Sequence, residues 1–121
     1  MTDDSYEQRV TEAKTRIREV TAQEAREMRS HEDAVVFLDV REPQEWNLFR
    51  IPGAIHVPLG AVDETIVQRV PRDRSVIIYC ASGNRSALAA DRMSAMGYTG
   101  VASMASGIKG WANLGGEIDD A

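Results

Sequence analysis

Val76-Ile77-Ile78-Tyr79-Cys80-Ala81-Ser82-Gly83-Asn84-Arg85-Ser86 is the stretch from which the rest of the chain can be read. A short run of apolar, mostly β-branched residues ends in the only cysteine of a 121-residue chain. Such a run is too short for a globular helix and suits a strand covered on both faces. Ala81, Ser82, Gly83 and Asn84 are small enough for a tight turn, and Gly83 can take the positive φ such a curl requires. An Ala- and Leu-rich helix follows over 85–96, stopped by Gly97, where a left-handed cap is needed. A thiol at the end of a buried strand, inside converging N–H groups and facing a helix N-terminus, is favoured as thiolate. The thiolate is the nucleophilic form, so Cys80 is the candidate catalytic residue. Arg85, five residues on, can fold back over the loop and offer its planar fork to an oxyanion.

Working outward, residues 34–40 form a second continuous apolar run and a second buried strand. Thr21 and Glu24 make a capping box that starts a helix running to about His31. Glu42-Pro43-Gln44-Glu45-Trp46 opens a short helix, with Pro43 suited to its first turn. Ile51-Pro52-Gly53-Ala54 turns the chain into a short strand at Ile55-His56-Val57. Residues 61–70 read as a helix with Val62, Ile66, Val67 and Val70 on one face. Val101 to Met104 is a last strand, residues 107–114 a final helix carrying Trp111, and the tail from Gly115 reads as frayed. At the other end, residues 5–19 are charged, with Tyr6, Val10 and Ile17 on one narrow helical stripe. That helix is either a peripheral one lying on the domain or an arm that contacts a partner. Strands alternating with helices imply an α/β fold, a parallel sheet with helices on both faces. The crevice of such folds lies at the carboxyl ends of the strands, where Cys80 falls.

Composition narrows the function. An apolar fraction of 43%, a charged fraction of 27% and a net charge of −5 describe an ordinary globular chain without a broad basic surface. Nucleic acid and anionic membrane are therefore not expected partners. A lone cysteine forms no internal disulfide, no Cys/His cluster has metal-ligand spacing, and no apolar run reaches membrane-spanning length. The polar, acidic start of the chain does not resemble a signal sequence, so a cytoplasmic location is expected.

Cys80-Ala81-Ser82-Gly83-Asn84-Arg85 resembles the Cys-x-x-Gly-x-Arg active-site loop of the rhodanese (sulfurtransferase) family. Asp39-Val40-Arg41-Glu42-Pro43 with Glu45-Trp46, then Ile51-Pro52-Gly53-Ala54-Ile55, resembles that family's amino-terminal signature. Gly97-Tyr98 with Val101, and Gly107-Ile108 with Trp111, resemble its carboxyl-terminal one. The resemblance covers about 18–116, so a rhodanese-like domain is expected over 18–121 with an N-terminal helical extension over 1–17. It implies a five-stranded parallel sheet and a Cys80 persulfide that takes sulfur from a donor such as thiosulfate and passes it to cyanide or another thiophile. A sulfur-relay protein partner is compatible with it. Loop N–H groups from Ala81, Ser82, Gly83, Asn84 and Arg85 would stabilise the sulfur and the anionic donor, and no cofactor or metal is implied. Asp39 and Arg41 match the family's Asp-Val-Arg and are read as structural, a buried ion pair serving loop backbone near the strand ends.

This sequence departs from the family pattern in three places. Phe49-Arg50 replaces Gly-His before Ile51, Ser106-Gly107 replaces Gly-Gly, and the loop has no second basic residue between Cys80 and Arg85. Competence to carry a persulfide is thus more firmly implied than strong thiosulfate binding. The rival classes are a dedicated persulfide carrier or interaction module, and a cysteine phosphatase or arsenate reductase. Phosphatase loops put five residues between cysteine and arginine to wrap a phosphate, whereas Cys80 and Arg85 are separated by four. A Cys–His hydrolase would need His31 or His56 as base, and neither spacing supports a dyad.

Overall fold

The computed structural model describes residues 5–31 and 35–120. In chain order the elements are α1 (Tyr6–Lys14), β1 (Glu19–Val20), α2 (Ala22–His31), β2 (Val36–Asp39), α3 (Pro43–Leu48), β3 (Phe49–Arg50) and β4 (Ile55–His56). A 3-10 turn at Leu59–Ala61 leads into α4 (Val62–Arg69), followed by β5 (Val76–Tyr79), α5 (Asn84–Ala95), β6 (Val101–Met104), α6 (Gly107–Asn113) and β7 (Asp119–Asp120). Five strands make one all-parallel sheet in the order β1-β6-β5-β2-β4. β5, the strand that delivers Cys80, is its central member.

Period-two alternation divides the core into two layers. Along β5, Val76, Ile78 and Cys80 point to one side with Leu38, where α4 and α5 supply Val62, Ile66, Ala89, Ala90 and Met93. Ile77 and Tyr79 point to the other side with Phe37, where α2 and α6 supply Ala22, Ala25, Ile108 and Trp111. Both faces of β5 are buried, which explains its uninterrupted apolar run. The expected α/β architecture, five parallel strands with helices on both faces and an N-terminal helix, is the one observed. Among the described residues no helix is long and apolar enough to cross a membrane.

Several local expectations are corrected. Glu19, the last residue of the expected N-terminal helical stretch, instead forms the fifth strand, β1, with Val20, and pairs with β6 through Glu19↔Ser103 and Val20↔Met104. The cap itself is present, with the Glu24 N–H donating to Thr21 Oγ1 at 2.9 Å and the Thr21 N–H to Glu24 Oε1 at 2.8 Å. Val67 is 43% exposed, because only Val62, Ile66 and Val70 keep the four-residue step that faces the sheet. α1 ends at Lys14, so Ile17 lies beyond the helix and meets the core from the following turn. Val10 and Ala13 are the buried residues of α1, while Tyr6 is exposed.

The tail from Gly115 is ordered through Asp120. Trp111 Nε1 donates to the Glu117 carbonyl at 2.7 Å, and β7 pairs antiparallel with β3, Phe49 opposite Asp120 and Arg50 opposite Asp119. Ala34, the first residue of the expected second strand, lies outside the described residues, as do the acidic residues at the start of the chain.

Candidate active site

Cys80 follows the last residue of β5 and is 1% exposed. Its carbonyl and that of Ala81 accept from Ile108 N–H (2.9 Å) and Lys109 N–H (3.3 Å), so the start of α6 pins the loop from outside. On the inside, Gly83 N–H donates to Cys80 Sγ at 3.2 Å and Ser86 N–H at 3.4 Å. The Ser86 hydroxyl lies 3.6 Å from the sulfur and 2.7 Å from the Ser103 hydroxyl on β6. When Cys80 ionises, Ser103 can donate to Ser86 and Ser86 to the sulfur, a buried relay that needs no water.

Two glycines make this cup possible. Gly83 sits at φ +102°, and a Cβ there would lie 2.1 Å from the Ala105 carbonyl oxygen. Gly107 sits at φ +65°, where a Cβ would lie 2.3 Å from the Ala81 carbonyl oxygen. The cysteine loop and the β6–α6 turn are therefore pressed backbone against backbone. This contact fixes the turn that aims the Gly83 N–H at the sulfur.

The electrostatics of the thiol are a contest between two effects. Burial is the largest single influence and opposes the charged form. The Ser86 side chain, together with the N–H groups of Ser86, Gly83 and Ser82, outweighs it and holds the Cys80 thiol below its ordinary value. Of the five loop residues singled out in the sequence, Gly83 and Ser82 thus act directly on the sulfur. Asn84 begins α5 and is exposed, and Ala81 serves through its carbonyl.

Arg85 is arranged differently from the free fork expected of it. Its Nη1 donates to Glu45 Oε1 at 2.7 Å and its Nη2 to Glu45 Oε2 at 3.0 Å. Glu45 also accepts from the Glu42 N–H at 2.8 Å, closing the N-terminus of α3. The Arg85 guanidinium, against some opposition from burial, holds the Glu45 carboxyl down at about 2. Glu45 in turn is the main reason that the Arg85 guanidinium is held more firmly protonated than usual.

Asp39 and Arg41 are buried beneath this layer, 0% and 2% exposed. Arg41 Nη2 donates to Asp39 Oδ2 at 2.7 Å and to the Phe49 carbonyl at 2.6 Å, while Asp39 Oδ1 accepts the Arg41 N–H at 2.9 Å. Phe49, at a position where the sequence departs from the family pattern, lays its ring 5.2 Å from the Arg41 guanidinium carbon, and Arg50 covers Trp46 at 4.4 Å. The structure therefore uses both residues to brace α3 and the strand ends.

His56 stacks on Trp46 and bonds the Arg41 carbonyl through Nε2 at 2.7 Å; His31 ends α2 and is exposed. Among the described residues, the Cys80 sulfur is met by Gly83 and Ser86 and by neither histidine. Surface hollows of 460 Å³ against α2 and of 560 Å³ where α1, α4 and α5 meet lie elsewhere.

Three partners escaped the sequence reading. Ser86 carries only a weak signal in the sequence, its place in the first turn of the helix. Ser103 lies inside a strand, and Glu45 is 40 residues from Arg85 in sequence. No local pattern ties either to the cysteine.

A family model described as the rhodanese-like domain matches residues 21–114. A sulfurtransferase of Allochromatium vinosum is 30% identical over 99 residues, covering 82% of this chain and 92% of that one. YrkF of Bacillus subtilis is 33% identical over 95 residues, and there the chain spans only about half of its relative, 51% against 78% of its own length. Among solved structures, a rhodanese-related protein of Thermoplasma volcanium superposes with a TM-score of 0.75 at 30% identity, covering 84% of this chain and 97% of that one. A Rhodopseudomonas palustris protein of unknown function, described as a possible tyrosine phosphatase, superposes with a TM-score of 0.86 at 29% identity over 98% and 97% of the two chains. Loop, fold and matched span lead to one statement: the chain belongs to the rhodanese-like domain family.

Proposed function

We propose that this chain is a sulfurtransferase that carries sulfane sulfur as a persulfide on Cys80. The observation that carries the reading is the convergence of the Gly83 and Ser86 N–H groups and the Ser86 hydroxyl on one buried sulfur. These donors favour the thiolate before attack and can follow the negative charge onto the outer sulfur afterwards. In the first step the Cys80 thiolate attacks the outer sulfur of a donor such as thiosulfate. The S–S bond of the donor breaks, its electron pair leaves with sulfite, and a Cys80 persulfide anion remains. In the second step cyanide or another thiophile attacks the outer sulfur, the persulfide bond breaks, and its electron pair restores the thiolate.

In this reading Ala81, Ser82, Gly83, Asn84 and Arg85 line the donor site, while Asp39 and Arg41 hold the strand ends. The likeness to the Allochromatium sulfurtransferase supports the activity, and the single reduced thiol suits a cytoplasmic setting. A second reading, a carrier serving one sulfur-relay partner, is favoured by the Arg85–Glu45 pair, which leaves the loop's single cation already matched. YrkF, named for sulfur carriage, fits that version. The four-residue spacing and the focus of the N–H groups on sulfur argue against a phosphatase.

The test is thiocyanate release from thiosulfate, a thiosulfonate or a hydropersulfide with cyanide as acceptor. Turnover that disappears in Cys80→Ser is expected, slow with cyanide if the carrier version holds. Equal rates in Cys80→Ser, or no turnover with any of the three donors, would overturn the proposal.

A further inference from the structure

Ser86 and Ser103 are the only serines buried among the described residues, each 0% exposed. Burying a hydroxyl is costly unless it is hydrogen-bonded, and these two bond each other. Ser103 stands opposite Ile78 in the β5–β6 ladder, so it shares the face of the sheet that carries Ile78 and Cys80. Its strand lies between β5 and β1, and its N–H donates to the Arg18 carbonyl at 2.9 Å. Ser103 is therefore a fixed point in the sheet.

That fixed point separates the donors around the sulfur. The Gly83 N–H belongs to the cysteine loop. The Ser86 hydroxyl, 3.6 Å from Cys80 Sγ, is tied to the sheet by its 2.7 Å bond to Ser103. Of these donors it is the least free to leave the inner sulfur for an outer one. Either hydroxyl can be the donor of the bond between them, so the pair can turn without moving its oxygens. Among the described residues no titratable side chain bonds the sulfur, and hydrogen bonds alone meet the charge of a departing thiolate.

We propose that Ser103 is a positioning residue for sulfur release, holding the Ser86 hydroxyl against the inner sulfur so that Cys80 is a good leaving group. This inference rests on the sulfurtransferase reading and concerns its second half-reaction. A thiophile attacks the outer sulfur, the persulfide bond breaks, and its electron pair returns to Cys80 Sγ. Ser103 then donates to Ser86 and Ser86 to the new thiolate, with no proton transferred. In the persulfide anion the charge lies on the outer sulfur, and the inner sulfur is a poor acceptor. The hydroxyl pair therefore stabilises the unloaded state more than the loaded one. The interaction that makes Cys80 leave faster also makes it a weaker nucleophile, so the site is biased toward giving sulfur away.

The test equilibrates wild type, Ser103→Ala, Ser103→Thr, Ser86→Ala and the double alanine variant with thiosulfate and sulfite, or with methanethiosulfonate and methanesulfinate. The pH is set above the thiol midpoint of every variant, and intact-protein mass reads the loaded fraction. Stabilisation confined to the thiolate appears in full in this equilibrium. Ser86→Ala removes the donor, raises the midpoint by about one unit and should favour loading about tenfold. Ser103→Ala keeps Ser86 but no longer polarises it, and should favour loading about threefold. Ser103→Thr restores the hydroxyl and should return the equilibrium toward the wild-type value. Single-turnover discharge by cyanide should slow in the same order. The double variant should match Ser86→Ala, because Ser103 acts only through Ser86. A loading equilibrium or discharge rate unmoved by Ser103→Ala, or a double variant shifted beyond Ser86→Ala, would overturn the inference and leave the sulfurtransferase reading standing. A wild type that loads from neither donor would overturn both.

Discussion

Replacing Ser86 with alanine removes the side-chain hydroxyl that reaches the Cys80 sulfur and leaves the backbone donors of Ser82, Gly83 and Ser86 in place. A hydrogen bond to a charged group contributes about 1.5–3 kcal/mol. The 3.6 Å separation argues for the lower end of that range. At about 1.4 kcal/mol per pH unit, the thiol midpoint should rise by about one unit. The assay is the rate of Cys80 alkylation by iodoacetamide as a function of pH, which follows the thiolate fraction. The substitution also strips Ser103 of its buried partner, which costs roughly 1–3 kcal/mol of stability. Ser86→Ala with Ser103→Ala should recover part of that stability and keep the raised midpoint, separating the electrostatic effect from the packing one. A midpoint that stays at the wild-type value in Ser86→Ala, with the protein folded and the thiol reactive, would refute the relay.

Four further substitutions probe the scaffold. Gly83→Ala and Gly107→Ala each demand a left-handed backbone from alanine and drive a Cβ into the opposing turn, 2.1 Å and 2.3 Å from carbonyl oxygens. Each should cost about 3 kcal/mol or more in chemical denaturation and slow Cys80 alkylation, because the N–H donors move with the turn. Asp39→Ala leaves the buried Arg41 guanidinium without its counter-charge and should cost about 3–5 kcal/mol. Glu45→Gln removes a carboxylate whose folded value is about 2 against an ordinary 4.5. The folded value is depressed, so this group's contribution is full above the unfolded value and is lost as pH falls through the folded one. Wild type should lose stability more steeply than Glu45→Gln between pH 4.5 and 2, by a small amount because the pair is part-exposed.

The parts of the fold legible in the sequence are those whose local pattern and tertiary environment agree. Val76–Tyr79 is buried on both faces and reads as an unbroken apolar run, and Val101–Met104, equally buried, is apolar but for Ser103. The Thr21–Glu24 box and the Gly97 stop are short-range chemistry, visible within four residues. Glu19–Val20 and Asp119–Asp120 are strands only because a partner strand is there to receive them. Two residues carry no period, and two aspartates carry no strand propensity.

The site divides in the same way. Cys80, Gly83 and the helix start were legible because the loop is one continuous segment. Glu45 and Ser103 were not, since they arrive from α3 and β6 through the topology of the sheet. The sequence pattern gives Arg85 a charge and a reach. Its partner, and hence the neutrality of the rim, depends on where α3 lands.

The central claim is that Cys80 holds a transferable sulfur atom, and intact-protein mass spectrometry after brief exposure to thiosulfate or a thiosulfonate tests it most directly. The account predicts one added sulfur atom on wild type, removed by cyanide and absent from Cys80→Ala. An unmodified wild-type mass with every sulfane donor, or the same adduct on Cys80→Ala, would contradict it.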